Sequence, residues 1–509
     1  MQINVLEYFE KKTLHTHKKK IAVVDKGRSY TFEMVEVFAK KCAAMLLEKI
    51  DLTSQCIAVF LPKSIETIVA DLGVLYSGNC YANLDVKSPL ERLRATFKNL
   101  ECPLIITTSE YVDVLMQLGV LKEQLVLIEK AFDDEKNYNN EKIFKKINQI
   151  IDNDPFCIIH TSGSTGTPKG VALSHRGAID YMDWVFETFA FDNTQIIGSL
   201  SPCFFDTYTL ELFLCLAKGA TFIIIPEQLA AFPVRLLEFI ISQKVNFIFW
   251  VPTIMVNIAN QNLLEKFSLD AIKTIFFAGE VFPTKHLNYW RRYLGNTLFV
   301  NLYGPTEANV DCTYFIVNRP LADEDKLPLG FPCRNTDILI LNESNREVQN
   351  DEIGELCIRG SSLALGYWNN PELTAKVFVQ NPLNKHYPEL IYRTGDLVYR
   401  NFLGEIMFKG RKDHQIKHLG YRIELGEIEH AALLIDGIHN CCSVYNQSKK
   451  EIILFFESTA NLTTSNLREN LASFIPKYML PRVFKKIEKL PINANGKIDR
   501  SKLLNTLDA

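Results

Sequence analysis

The stretch HTSGSTGTPKG, residues 160–170, follows directly on the apolar run PFCII at 155–159. A buried strand is expected to end here in a loop of glycines, hydroxyl residues, a proline and a lysine. Glycine lets a backbone come close to a ligand and turn its N–H groups inward. Such N–H groups, joined by Ser/Thr hydroxyls and a lysine, form an anion cradle whose natural guest is a phosphate. The spacing is not G-x-x-x-x-G-K-[ST], which excludes a Walker loop. Taken alone, the stretch reads equally as a flexible surface turn, and the rest of the chain has to decide.

The chain has 509 residues, too many for one hydrophobic core, so two to four domains are expected. It is 47% hydrophobic and 23% charged, ordinary for a globular protein, and its net charge of −3 attracts neither nucleic acid nor an anionic membrane. No apolar run reaches the roughly 20 residues that span a bilayer. The N-terminal MQINVLEYFEKKTLHTHKKK lacks an apolar core and is not a signal peptide. The twelve cysteines form no C-x-x-C and no zinc spacing, and most sit in apolar runs. Reduced, buried thiols of a cytoplasmic protein are therefore expected.

Short apolar runs alternate with amphipathic segments, the pattern of α/β layers. CIAVFLP, CPLIITT, ATFIIIP, VNFIFWVP and TIFFAG read as strands; SIETIVADLGVLYSG and FPVRLLEFIISQK read as helices. LCIRG, TDILIL and GEIMFKG predict a small antiparallel module around 330–410. The Lys/Asn-rich EKNYNNEKIFKKINQIIDND, 135–154, is expected to be a surface connection.

Further polar motifs follow in order: NLYGPTEANVD (301–311), YRTGDL (392–397), GRKDHQIKHLGYRIELGEIE (410–429) and LPINANGKIDR (490–500). Weaker signals are YTFEMVE, SGNCYANLDVKSP, FFDTYTLE, GELCIRGSSLALGYWNNPELT and IPKYMLP. In this order and at these distances they resemble the adenylate-forming (ANL) superfamily: acyl- and aryl-CoA synthetases, luciferases and nonribosomal peptide synthetase adenylation domains. The resemblance covers almost the whole chain. It implies an α/β fold, with a large N-terminal domain of layered α/β subdomains and a small β-barrel-like module, then a mobile α+β C-terminal lid. The implied boundaries are 1–409 for the core, 410–413 for the hinge and 414–509 for the lid.

That family joins a carboxylate to the α-phosphate of ATP, expels pyrophosphate and passes the acyl group to a thiol. Negative charge gathers at one phosphorus, so groups aimed at that charge are needed. The resemblance implies that Thr161, Ser162, Gly163, Ser164, Thr165, Gly166 and Lys169 hold the β- and γ-phosphates. Gly279, Glu280 and Val281 close over the nucleotide. Asn301, Leu302, Tyr303, Gly304 and Pro305 flank the adenine, with Tyr303 as its stacking ring and Asn301 at its edge. Thr306 reaches the α-phosphate, and Glu307 ligates Mg²⁺, a hard cation that suits a carboxylate. Asp396 accepts from the ribose hydroxyls and Arg411 adds a contact nearby. Asp413 lies at the hinge, Lys497 of the lid bridges substrate carboxylate and α-phosphate, and Gly420 leaves room for a pantetheine thiol after lid rotation.

Asp206 in FFDTYTLE matches the aspartate that pairs with an α-ammonium in amino-acid-activating members. A helix N-cap is its bland alternative. Whole-chain likeness runs to stand-alone D-alanine–carrier protein ligases. The projected pocket is Asp206, Thr207, Leu210, Phe249, Phe276, Ala278, Leu302, Val310, Asp311 and Lys497, mostly apolar and narrowed by two rings. Ala278 stands where the D-alanine group typically has Cys, and Asp311 brings a carboxylate to a usually apolar position. Asp311 reads either as an acceptor for a substrate hydroxyl or amine, or as a solvated residue at the rim. The pocket is also similar to that of stand-alone prolyl-activating enzymes, so alanine of either hand, proline and serine all stay open.

No G-x-x-S carrier segment is seen before Ala509, so the expected partner is a separate phosphopantetheinylated carrier protein, the enzyme itself being a monomer. ATP and Mg²⁺ are the implied cofactors; nucleic acid and membrane insertion are not expected. An acyl- or aryl-CoA ligase and a non-catalytic nucleotide-binding homologue are the alternatives. Asp206 argues against the first, and the presence of Lys497, Glu307 and Asp396 against the second.

Overall fold

The computed structural model describes residues 2–133, 138–163, 168–492 and 498–507. The chain separates into two compact units. The first comprises Met1–Val86, Glu101–His160 and Gly170–Lys412; the second comprises Lys87–Leu100, Thr161–Lys169 and Asp413–Ala509.

The apolar runs form strands because each is buried on both faces, as parallel sheets covered by helices require. Cys56–Val59, Ile105–Thr107, Thr221–Ile224, Phe247–Trp250 and Thr274–Phe277 all fall within the runs expected to be strands. They divide between two large sheets. One runs, edge to edge, Phe331–Pro332, Thr313–Ile316, Leu298–Tyr303, Thr274–Phe277, Phe247–Trp250, Ile196–Ser199, Thr221–Ile224, Ile21–Asp25, Arg28–Thr31. The other runs Gly366–Tyr367, Lys169–Ser174, Pro155–Thr161, Cys80–Asn83, Cys56–Val59, Ile105–Thr107, Leu125–Leu127.

Side chains alternate along a strand, so Phe247–Trp250, Thr274–Phe277 and Leu298–Tyr303 each feed two cores. Phe247, Phe249, Phe276, Val300 and Leu302 join one core; Ile248, Trp250, Ile275, Phe277 and Phe299 join the other. The parallel register Phe249↔Phe276 and Phe276↔Val300 keeps the first set on one face.

An antiparallel module of Thr336–Leu341, Gly354–Gly360, Phe378–Gln380, Leu390–Arg400 and Ile406–Arg411 lies where the short Gly-bounded strands are expected. In the second unit, Ile438–Asn446, Glu451–Ser458 and Val483–Lys486 form a sheet packed with helices Leu425–Leu433 and Thr464–Ala472.

One expectation needs correcting. The stretch at 135–154 is more than a connection, since Asn140–Ile147 is a helix. The Asn139 side chain caps it at Lys142 N, and Ile143 and Ile147, one turn apart, are buried. Two apolar residues suffice as an anchor because Lys142 Nζ also reaches Leu47 O at 2.9 Å. All twelve cysteines are buried and free. Among the described residues no helix is long and apolar enough to cross a membrane.

Gly330 couples the nine-stranded sheet to the antiparallel module. Ile406 N donates to Gly330 O at 2.9 Å and Leu329 N to Ile406 O at 2.8 Å. Its φ is +85°, and a Cβ there would lie 2.0 Å from Tyr314 O. Gly330→Ala is therefore expected to lower stability by more than about 1 kcal/mol, read as a lower denaturant midpoint.

Candidate functional site

In the first unit the Gly279–Val281 and Gly304–Asp311 segments follow the C-terminal ends of strands paired in parallel, where open α/β sheets bind ligands, while Asp396 and Arg411 lie on antiparallel strands. Strand Leu298–Tyr303 runs into the loop Gly304–Asp311. Cys312 N donates back to Tyr303 O at 2.8 Å, which closes the loop on itself. Closure presses Gly304 against the returning chain, and a Cβ there would lie 2.4 Å from Asp311 Cα and Val310 O. Asn309 and Val310 take φ of +56° and +80°. For a β-branched residue the second is a strained conformation, of the kind that persists where surrounding packing enforces it.

Thr306 begins a short helical turn on this loop and its Oγ1 donates to Asp206 Oδ2 at 2.6 Å. Asp206 opens helix Asp206–Lys218, but the N-cap is Phe205, which makes no side-chain cap bond. The capping reading of Asp206 thus does not hold. Its other oxygen, Oδ1, accepts from Thr207 N at 2.8 Å.

The apolar pocket residues Leu210, Phe249, Phe276, Ala278, Leu302 and Val310 are all buried in the same core. Phe249 and Phe276 meet edge to face with centroids 5.9 Å apart, and Phe276 also packs on Phe189 and Phe247. Asp311 is only 2% exposed, so the solvated-rim reading is wrong: Tyr181 Oη donates to its Oδ2 at 2.9 Å. Burial, then the Asp311 charge, pushes the Tyr181 phenol well above its usual range.

Glu307 has no exposed surface, and Tyr367 Oη donates to its Oε1 at 2.6 Å. A carboxylate whose orientation is fixed by that hydroxyl is the kind of hard oxygen donor that Mg²⁺ takes. Asp396 pairs in register with Arg411 across adjacent strands, and Arg411 Nη1 lies 2.6 Å from its Oδ1. Tyr303 Oη donates to the other oxygen. Asn301 Nδ2 donates to Pro328 O at 2.7 Å, Glu280 accepts from Thr253 N at 3.1 Å, Gly279 has φ +91°, and Val281 is exposed. Pro305 precedes the Thr306 turn as its N-cap residue.

In the second unit, Thr161 closes strand Pro155–Thr161, and its buried Oγ1 has no partner among the described residues. An orphaned hydroxyl at the mouth of this loop fits a phosphate oxygen. Ser162 Oγ donates to Arg422 O at 2.7 Å and accepts from Glu424 N at 3.2 Å. Gly163 lies in the loop, and Lys169 opens strand Lys169–Ser174. Ser164, Thr165, Gly166 and Lys497 lie outside the described residues. Asp413 Oδ1 accepts from Gln415 N at 3.1 Å. Leu419 and Gly420 have φ of +54° and +82° between strands Gln415–His418 and Tyr421–Glu424. Two successive positive φ values are those of a type I′ hairpin turn, with Gly420 at its tip.

Three partners had no signal in the sequence: Tyr181, Tyr367 and Thr253. A tyrosine in an apolar helix, or beside a glycine, reads as core; only the fold shows which carboxylate its hydroxyl meets.

Residues 9–368 match the AMP-binding enzyme family. Zwittermicin A synthase ZmaJ of Bacillus cereus is 30% identical over 99% of this chain and 95% of its own. Other curated relatives, 28–32% identical, are far longer, and this chain spans 8–45% of their length. Among solved structures, the Vibrio cholerae adenylation domain AlmE with glycyl-adenosine-5'-phosphate is 22% identical, with TM-score 0.84 over 100% of this chain and 98% of its own. The o-succinylbenzoate CoA synthetase MenE of Bacillus subtilis is 18% identical, with TM-score 0.84 over 99% of this chain and 98% of its own. The chain belongs to the AMP-binding enzyme family, within the adenylate-forming superfamily. It is an adenylate-forming enzyme, similar to nonribosomal peptide synthetase adenylation domains, and enzymes of this kind use ATP.

Tyr181→Phe leaves a buried Asp311 oxygen without its donor and should cost about 1–3 kcal/mol. Removing both partners, as Tyr181→Phe with Asp311→Leu, should recover most of that loss. Denaturant midpoints of the two single variants and the double variant check this.

Proposed function

We propose that this enzyme activates a small α-amino acid with ATP, releasing pyrophosphate, and passes the aminoacyl group to the phosphopantetheine thiol of a separate carrier protein. The observation that carries the reading is the 2.6 Å hydrogen bond between Thr306 and Asp206. In an α-amino acid, the ammonium nitrogen and the carboxyl carbon are roughly 2.5 Å apart by standard bond geometry. An ammonium held at Asp206 therefore leaves its carboxylate beside Thr306, the residue assigned to the α-phosphate. The pairing is charge-assisted on both sides, and an acid without an amine would forgo it.

Roles for the remaining residues follow from the chemistry. Lys497 and the Thr161–Lys169 loop supply positive charge and donors for the phosphates as the carboxylate attacks. Mg²⁺, when bound at Glu307, neutralises phosphate charge. Asp396, neutralised by Arg411, accepts from ribose hydroxyls. Leu210, Phe249, Phe276, Ala278, Leu302 and Val310 limit the side chain to a small one, and Asp311 offers an acceptor within that set. Alanine of either hand, proline and serine are the candidates. Gly420, at a hairpin tip, leaves room for the thiol arm. The two-unit division at Lys412/Asp413 supports a hinge there.

The likeness of fold to MenE keeps a second reading in play, that of an acyl- or aryl-CoA ligase. Pyrophosphate exchange into ATP across L- and D-amino acids, fatty acids and aryl acids separates the two. One small amino acid should drive exchange. Lys497→Ala should reduce it by roughly 10²-fold or more, and Asp206→Asn should raise the amino-acid KM more than the ATP KM. Exchange driven only by acids lacking an α-amine would overturn the assignment and favour the CoA ligase.

A further inference from the structure

Beneath the helix that carries Asp206 lies a buried polar cluster with no part in the chemistry above. Asp71 sits in helix Ile65–Tyr76 and is wholly buried, as are Asn83 and Tyr208 to within 1%. Asp71 Oδ2 accepts from Asn83 Nδ2 at 3.2 Å and from Tyr208 Oη at 3.1 Å. Asp71 Oδ1 and Asn83 Oδ1 are both buried and have no partner among the described residues. Each is a pure acceptor if Asp71 is ionised, so the two orphaned oxygens share one missing hydrogen.

The titratable groups around Asp71 are Tyr81, Tyr208, Cys42, Cys157 and Cys203, none of them a cation; beyond them Lys63 lies over the Tyr208 ring at 5.7 Å, with its ammonium on Ser199 and Ser201. A carboxylate held only by neutral donors in such a place is costly. Burial pushes the Asp71 carboxyl well above its usual range. Glu211 provides the contrast. Ser199 Oγ links it to Lys63; burial pushes the Glu211 carboxyl up and the Lys63 ammonium down, and each is countered by the other's charge.

The cluster grips the segment that presents Asp206. Lys63 Nζ donates to Ser199 O at 2.8 Å and to Ser201 O at 2.7 Å. Asn83 Nδ2 donates to Cys203 O at 3.2 Å, and Tyr208 lies two residues beyond Asp206 on the same helix. Alternate carbonyls at 199, 201 and 203 are thus each held from below.

We propose that Asp71 is a protonated acid whose Oδ1–H is donated to Asn83 Oδ1, and that this acid–amide pair is a positioning device for Asp206. Asn83, fixed by the pair, fixes the Cys203 carbonyl; Tyr208, fixed by Oδ2, fixes the first turn of the helix. The positioning half rests on the amino-acid reading above; the location of the proton does not.

Two measurements decide the proton. At neutral pH the wild-type infrared spectrum should contain a protonated-carboxyl stretch that Asp71→Asn removes. The pH dependence gives an independent sign. A raised folded-state pKa means the acid is neutral in both states at low pH. As pH climbs past the unfolded value, near 3.9, only the unfolded chain ionises, so stability falls with pH. Asp71→Asn abolishes that loss, so its denaturant midpoint should rise relative to wild type between pH 5.5 and 8. Absence of the band, or a relative midpoint that falls over that range, overturns the assignment.

The positioning role is read from Michaelis constants. Asp71→Leu should raise the amino-acid KM roughly tenfold with little change in the ATP KM, and Asp71→Asn should restore it to near the wild-type value. Parallel movement of both constants, an unchanged amino-acid KM in Asp71→Leu, or failure of Asp71→Asn to restore it, overturns this half. A wild-type chain that activates no amino acid sinks the reading beneath it, while the band and the midpoints still decide the proton.

Discussion

A single hydrogen bond, 2.6 Å from Thr306 to Asp206, joins the two pieces of chain on which the site depends. One is the loop leaving strand Leu298–Tyr303; the other is the start of helix Asp206–Lys218. Neither has the freedom to drift. The loop is closed by the Cys312–Tyr303 backbone bond and by contact at Gly304, where no side chain fits. The left-handed Val310 shows that this closure outweighs a local conformational cost. The segment leading into the helix is held by Lys63 and Asn83, and the helix itself by the Tyr208–Asp71 bond. A chemical site is built where two stiff elements meet, and its tolerance is set by their foundations.

Sheet parity explains why the apolar lining and the polar residues can coexist. Along the parallel strands, alternate residues supply the face under the helix that carries Asp206, while their neighbours build a separate core. Strands buried on both sides read as continuous apolar runs, and the polar loops of the site follow where such strands end. The Gly304 loop follows one such strand end, and the 277–280 segment follows another.

Much of this was legible in the sequence. The runs around 56–62, 220–226 and 245–252 fell into strands because their length and β-branched, aromatic content leave little else. The helix at 140–147 was missed because its apolar contribution is only two well-spaced residues among lysines and asparagines. The ordered motifs pointed to Asp206, Thr306, Glu307, Asp396 and Arg411, and the fold brings Asp206 to Thr306 and Asp396 to Arg411. What stayed hidden was the layer behind them. Asp71, met at helical spacing within an apolar run, reads as the solvent face of an amphipathic helix. Yet every residue of that helix except Glu66 is buried, and the acid is inside. Periodicity reports how many sides of a helix are apolar, not whether a second layer covers the remaining one.

The partners chosen for the site carboxylates carry a last piece of logic. Asp206, Glu307 and Asp311 are each held by a hydroxyl, from Thr306, Tyr367 and Tyr181 respectively. A hydroxyl orients an oxygen without bringing an opposite charge to it. Asp396 also receives a hydroxyl, from Tyr303, but is paired in addition with the guanidinium of Arg411. Under the proposed function this division matches the ligands. Asp206 meets an ammonium and Glu307 a divalent cation, so each must keep a negative charge to give. Asp396 meets neutral ribose hydroxyls, for which geometry matters more than charge, and a neutralised carboxylate serves with less desolvation cost. A substrate lacking the ammonium would forgo the charge-assisted contact that Asp206, already oriented by Thr306, offers. Selectivity for amino acids over simple acids is then a consequence of how the carboxylate is held as much as of its presence.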